Sequence, residues 1–366
     1  MLDKVKVLVC LLALSPLAWG DELTVNPDHP DKYVVVKGDT LWDIAGRFLT
    51  QPWRWPEIWK VNPQIQNPNL IYPGDVVSLS YEGGSPVLNV ERGAASAESM
   101  GGRDVKLSPK IRVSGEGEAI HSIPIDAIRN FLKQPLVVSD HEMDAWPYVV
   151  SSYQQRLIAG PGNHIYVRGL SAGGEKHYSI YRKGNAYRRG GTDDGELLGY
   201  EAIYVGDATV LEFGDPSTVL VTTAEREVLD GDRLVARSKD EITSDFIPKP
   251  AAKSLNGSVI SVVDGLSQIG QYQVVVMDVG ASNGLEVGNV MGVYQAGATV
   301  ADKVNTKPVH PFIEYLGRPN SAGTPVKLPD EYAGVIMVFR TFPNVSYGLV
   351  MEATGPVHIE DHVKAM

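Results

Sequence analysis

The sequence predicts a multidomain chain: a small α+β module of βααβ order, then a mostly-β C-terminal region made of two related barrel-like or sandwich-like units. Three observations predict it. Between Tyr33 and Tyr81 the apolar residues pass from strand spacing to helical spacing and back. Beyond about residue 110 short alternating apolar runs and glycine turns dominate, without long helical periodicity. Within that region one pattern of strand, glycine-bounded turn and tyrosine-bearing strand occurs twice.

The N-terminal segment comes first. Lys4 and Lys6 precede an apolar run from Val7 to Trp19, and Ala18-Trp19-Gly20 is followed by Asp21. A short apolar run behind lysines, ending in small residues, reads as a secretory signal peptide over 1–20 with cleavage near Gly20/Asp21. The run is too short for a membrane span, and no other stretch approaches spanning length, so no transmembrane span is expected. Cys10, the chain's one cysteine, falls inside this segment with Val9 before it, where a lipoprotein would carry a small residue. The exported chain would therefore hold no thiol and no disulfide, and its domains would rely on core burial.

The module from 33 to 81 follows. Val34 to Val36 is a β-branched run that stops at Gly38-Asp39-Thr40. Leu41, Ile44, Ala45 and Phe48 then recur at helical spacing, with Asp39 or Thr40 placed to cap the new helix. Ile58, Trp59 and Val61, with Pro56 in the first turn, predict a second short helix that closes at Asn62-Pro63. Pro73-Gly74 makes a turn, and Val77 and Leu79 alternate with polar neighbours as a closing strand.

The residues Tyr33-x-Val35-x-x-Gly38-Asp39-Thr40-Leu41-x-x-Ile44-Ala45-x-x-Phe48, then Asn62-Pro63, then Leu70-x-x-Pro73-Gly74-Asp75-x-Val77-x-Leu79 resemble the LysM family of peptidoglycan-binding and chitin-binding modules. The connection Leu49–Trp55 is longer and more aromatic than that family's pattern. The resemblance implies a shallow groove for N-acetylglucosamine between two loops. Carried over residue by residue, one loop is Gly38, Asp39, Thr40, Leu41 and Trp42, and the other is Asn69, Leu70, Ile71, Tyr72 and Pro73. Tight-turn amides would pair with acetamido groups while an apolar wall takes the sugar face. In so small a domain Leu41 and Ile44 also serve as core, Asp39 also serves as a cap, and Trp53, Trp55 and Trp59 fit either a core lid or a sugar platform.

Residues 82–110, rich in Gly, Ser and Ala, read as a flexible linker that lets the module move independently. The first β-rich unit is expected over 111–240, opening with Ile111–Val113, a helix over Ile125–Leu132 and a strand at Pro147–Val150. Within it His164–Arg168, Gly169–Gly173 and Ser179–Arg182 match Gln273–Met277, Gly280–Gly284 and Gly292–Gln295 of a second unit, 253–366. Leu229–Val235 likewise parallels Ile359–Val363, and Pro248-Lys249-Pro250 joins the units. The second unit carries an additional polar, proline-rich loop at about 297–329, read as surface or partner-facing.

Several function classes lose ground on composition. The net charge is −11, and removal of residues 1–20, with Lys4 and Lys6 against Asp3, leaves −12. An acidic chain without a basic stripe is poorly suited to nucleic acid, where phosphate neutralisation dominates affinity, so no nucleic-acid partner is expected. Gly169-Leu-Ser171-Ala-Gly173 and Gly280-Ala-Ser282-Asn-Gly284 both fit a nucleophile-elbow spacing. An elbow needs a strand before and a helix after, whereas a turn and another strand follow here in both units, which favours hairpin glycines. The sequence holds no His-Glu-x-x-His, and His358 and His362 lie in a segment read as strand. The chain is accordingly read as no enzyme, with no cofactor and no metal.

At whole-chain level the order of signal peptide, single module, Ile123–Leu132 and a β region with Gly284-Leu-Glu-Val-Gly288 and Val293-Tyr294 resembles the TsaP family of type IV pilus secretin-associated proteins. The C-terminal region of that family is similar to that of the flagellar-motor accessory protein FlgT. This resemblance implies a non-enzymatic periplasmic protein that binds peptidoglycan at one end and the outer-membrane secretin at the other. A cell-wall hydrolase targeted by the module and an accessory protein of another envelope machine, such as the flagellar motor, are the alternatives.

Overall fold

A computed structural model describes residues 23–59, 71–91, 120–128, 136–155, 157–237, 246–263, 269–308 and 321–366. The segment read as a signal peptide, the strand at 111–113 and most of the 82–110 stretch lie outside the described residues.

The N-terminal module runs β1 (Lys32–Val34), α1 (Leu41–Phe48), a 3₁₀ turn (Pro52–Arg54), α2 (Trp55–Trp59), β2 (Val76–Glu82) and β3 (Ser85–Glu91). It forms a three-stranded antiparallel sheet in the order β1-β2-β3. The βααβ order holds, with regular structure continuing further than the sequence reading: β3 pairs along its whole length with β2, from Val76↔Glu91 to Glu82↔Ser85. The sequence reading places Ser85–Glu91 inside the 82–110 linker, whereas the structure makes it a strand. Its Val87, Leu88 and Val90 are buried, which supplies the apolar face that makes it a strand.

Two closed barrels follow. The first contains β4 (Leu136–Val138), α3 (Asp140–Asp144), β5 (Tyr148–Ser152), β6 (His164–Arg168), β7 (His177–Arg188), β8 (Leu197–Glu212), β9 (Ser217–Ala224) and β10 (Arg233–Ala236). The second contains β11 (Lys249–Pro250), β12 (Asn256–Val262), β13 (Val274–Met277), β14 (Asn289–Gln295), β15 (Thr299–Pro308), β16 (Ser321–Lys327), β17 (Glu331–Thr341), β18 (Ser346–Ala353) and β19 (His362–Ala365). In the first the circuit is β8-β7-β10-β5-β6-β9, closed by β8–β9; in the second it is β17-β14-β19-β12-β13-β18, closed by β17–β18. Matching the strands in chain order makes the two circuits identical, so the repeat read from the glycine turns is a repeat of topology. Closure leaves neither six-stranded circuit with a free edge.

Outside the circuits the units differ. β4 lies antiparallel on β8, whereas β11 lies parallel to β14. The Pro248–Pro250 junction is therefore tied to the second barrel, with the Asn289 amide donating to the Pro250 carbonyl at 3.2 Å and Lys249 paired with Glu286. The polar stretch read as a loop at 297–329 is instead a two-stranded ribbon, β15–β16, over its described part. Cross-strand bonds satisfy its backbone, which is why its polar composition is compatible with regular structure.

The second barrel is buried on both faces along β13 and over most of β14, β17 and β18. Along β13, Val275 and Met277 enter the barrel interior, while Val274 and Val276 join an outer cluster; Ile336 and Val338 alternate likewise with Val335, Met337 and Phe339 in β17. The outer cluster is covered by Ile123, Ile125 and Ile128, by Trp42 and Trp53 of the module, by Phe246, and by Tyr187 and Leu198 of the long β7–β8 hairpin. At that hairpin's tip the Gly190 amide donates to Asp278 Oδ2 at 2.9 Å, and the Tyr187 and Tyr347 hydroxyls meet at 3.1 Å. The module is thus docked on the second barrel, a contact that the reading of an independent module did not foresee.

Candidate functional site

The helix start that opens the first loop is fixed locally. Thr40 is the N-cap of α1: its Oγ1 accepts from the Asp43 amide at 3.1 Å, and Asp43 Oδ2 accepts from the Thr40 amide at 3.2 Å. This reciprocal arrangement satisfies two donors that the first helical turn leaves open. Asp39 has a separate task. Its Oδ2 accepts from the Tyr33 hydroxyl and from the Val36 amide, both at 2.9 Å, and so braces the turn. Burial, and then this carboxylate, push the Tyr33 phenol up.

The second loop is held against the first. The Val35 amide donates to the Asp75 carbonyl at 2.8 Å, and the Gly74 amide donates to the Val35 carbonyl at 2.8 Å. Gly38 and Gly74 have φ of +99° and +100°, backbone that a side chain would strain. Asp75, 3 % exposed, accepts from the Tyr72 amide through Oδ2 at 3.1 Å and closes the Pro73-Gly74 turn.

The fold therefore brings Gly38–Trp42 together with Ile71–Pro73. Gly38 is exposed, Asp39, Tyr72 and Pro73 are half-buried, and Thr40, Leu41, Trp42 and Ile71 are buried. Asn69 and Leu70 lie outside the described residues. Leu41 and Ile71 belong to the module core with Ile44, Phe48, Trp55, Ile58 and Trp59. Trp55 and Trp59 meet edge to face at 6.1 Å inside that core. Trp42 packs against Trp53, ring centroids 6.2 Å apart, within the cluster on the second barrel. The aromatic residues that fitted either a lid or a platform are thus core.

Residues 120–122 reach the same place. The Ile120 amide donates to the Ile71 carbonyl at 2.9 Å, and the Leu41 and Trp42 amides donate to the carbonyls of His121 at 2.9 Å and Ser122 at 3.2 Å. Sequence reasoning missed this segment because backbone groups carry the contact, leaving Ile120 as its only side-chain signal. A further bond fastens the module from the other side: the Tyr272 hydroxyl donates to Asp43 Oδ1 at 3.2 Å. Burial, and then the Asp43 charge, push the Tyr272 phenol up to about 12.

The motifs that resembled catalytic spacing sit in turns. Gly169–Gly173 lies between β6 and β7, and Gly280–Gly284 between β13 and β14, so a strand follows each. His362 Nδ1 lies 2.8 Å from Asp330 Oδ2, at the base of the β15–β16 ribbon. Among the described residues no group of His, Cys, Asp and Glu could hold a metal ion, and no helix is long and apolar enough to cross a membrane.

Residues 33–80 match the LysM domain family, a class of carbohydrate-binding module, and the match spans the helices, both loops and most of β1 and β2, stopping before β3. A relative, the uncharacterized protein YqbP of Bacillus subtilis (strain 168), is 58 % identical over 60 residues, which cover 14 % of this chain and 27 % of the relative. The chain thus spans about a quarter of that relative's length, and the likeness concerns a module rather than the whole molecule.

Proposed function

We propose that this protein is a non-enzymatic peptidoglycan-binding tether of the periplasm, exported by the segment 1–20, that links an outer-membrane secretin of type IV pilus machinery to the cell wall. The observation that carries the first half is the LysM match over 33–80, with the loops Gly38–Trp42 and Ile71–Pro73 held side by side. Amides at tight turns and an apolar floor of Leu41 and Ile71 suit N-acetylglucosamine in glycan strands. The secretin half is supported by the resemblance of the chain's layout to the TsaP family. It is also supported by the two-barrel region, which offers a large scaffold for a protein partner.

Sedimentation with purified sacculi tests the glycan half. The full exported chain is expected to pellet with sacculi and to be released by N-acetylglucosamine oligomers. Pelleting that such oligomers leave unchanged would sink the assignment. Affinity purification with mass spectrometry tests the other half: recovery of a secretin supports it, and recovery of flagellar-motor components in its place overturns it.

A further inference from the structure

Ile120, His121 and Ser122 thread between the two loops assigned to the sugar. They present two carbonyl acceptors to the Leu41 and Trp42 amides, one amide donor to the Ile71 carbonyl, and an apolar side chain, Ile120, which is 5 % exposed among Leu41 and Ile71. An acetamido group offers the same kinds of partner: one carbonyl oxygen with two lone pairs, an N–H donor and a methyl. Two occupants that use one set of donors and acceptors exclude each other. The fit is also imperfect. Ser122 is 3 % exposed and its hydroxyl has no hydrogen-bond partner among the described residues, a defect that weakens the closed arrangement relative to a fully satisfied one.

We propose that residues 120–122 are an intramolecular occupant of the glycan groove, displaced when glycan binds, so that the docked molecule is a closed form of the module. The proposal rests on the glycan-binding reading above. Displacement acts at a distance because the segment continues directly into Ile123, Ile125 and Ile128, the residues wedged between the module and the outer wall of the second barrel. A glycan that expels 120–122 pulls on that wedge, and a partner that stabilises the wedge weakens glycan binding by the same factor.

The test uses the exported full chain and tetra-N-acetylchitotetraose. Ile120→Asp removes the apolar plug and is expected to tighten binding about tenfold, because the energy spent on opening the groove is no longer subtracted. A second variant does not depend on the tolerance of that substitution. Ser122→Ala removes the buried hydroxyl that lacks a partner and so steadies the closed segment; it is expected to weaken binding about fivefold while leaving thermal melts unchanged or raised. Binding by both variants equal to that of the unaltered chain overturns the competition and leaves the glycan reading intact. Absence of binding by the unaltered chain and by both variants overturns both.

Discussion

One side-chain device recurs through the chain: an Asp or Asn accepts the amide three residues before it and closes the turn that leads into a strand. Asp75 does this to Tyr72 at 3.1 Å, Asp232 to Leu229 at 2.8 Å, Asn289 to Glu286 at 2.8 Å and Asp361 to His358 at 2.7 Å. Asp232 does more, since both of its oxygens also accept from Arg182, each at 2.8 Å, while its side chain is only 2 % exposed. Replacing Asp232 by Ala strands the guanidinium and frees the turn. Chemical denaturation is expected to show a loss of about 3 kcal/mol, the lower end for broken buried pairs because Arg182 is 30 % exposed. At the start of α1, Thr40→Ala removes both bonds of its hydroxyl with Asp43 and is expected to cost about 1 kcal/mol by the same measurement. The sequence narrowed the cap to Asp39 or Thr40, both short oxygen-bearing residues just before the helical period; the structure selects Thr40 and gives Asp39 the preceding turn. The turn locks were not legible, because an Asp before a strand looks the same whether it points to solvent or back to its own chain.

Elements were legible where their apolar pattern was local. The alternation of Val77 and Leu79 and the helical spacing of Leu41, Ile44 and Phe48 found β2 and α1, which the structure places at Val76–Glu82 and Leu41–Phe48. The first strand was offset. β1 ends at Val34, and Val35 instead ties the two loops through both of its backbone groups. The uninterrupted runs Val274–Met277 and Val335–Phe339 mark strands without a wet face, since a strand with one wet face would alternate. Such runs announce a covered outer wall but not what covers it. The Asp43 to Tyr272 bond gives the module's docking an alkaline limit. The phenol's folded value is raised from 10.0 to about 12, so the folded state favours its neutral form. Its contribution is complete below pH 10 and fades as the pH rises through about 12. Tyr272→Phe is expected to abolish that alkaline step in thermal melts followed by tryptophan emission. At the ribbon's base Lys364 first, then His362 and the Gly297 amide, hold Asp330 well below its ordinary 3.8. This depressed carboxyl stabilises the fold above its ordinary value and stops doing so as the pH falls through its folded value. Asp330→Asn should flatten the corresponding acid loss in the same melts.

For the molecule as a whole, the duplication was legible because each unit must turn its chain at the same places, and glycines mark those turns in both. The docking of module to barrel was not legible, because it gathers residues far apart in the chain into one cluster, Trp42 and Trp53 together with Val274, Tyr347 and Leu349. Docking predicts that the amides of α1 and those of the second barrel report one rotational correlation time in ¹⁵N relaxation. Ile123→Asp, which sets a charge at a position that is 0 % exposed, is expected to split them into a fast module and a slow barrel pair.

The doubly covered second barrel changes how deletions of this protein should be interpreted. Cutting away residues 1–128 would strip Trp42, Trp53, Ile123, Ile125 and Ile128 from the outer side of β13, β17 and β18 and open Val274, Val276, Met337 and Leu349 to solvent. Such a fragment would be sticky as well as sugar-blind. A loss of assembly in cells carrying it would measure clumping of the remnant, whereas a single change at a groove residue outside that cluster, such as Tyr72, leaves the wall covered and reports on the glycan.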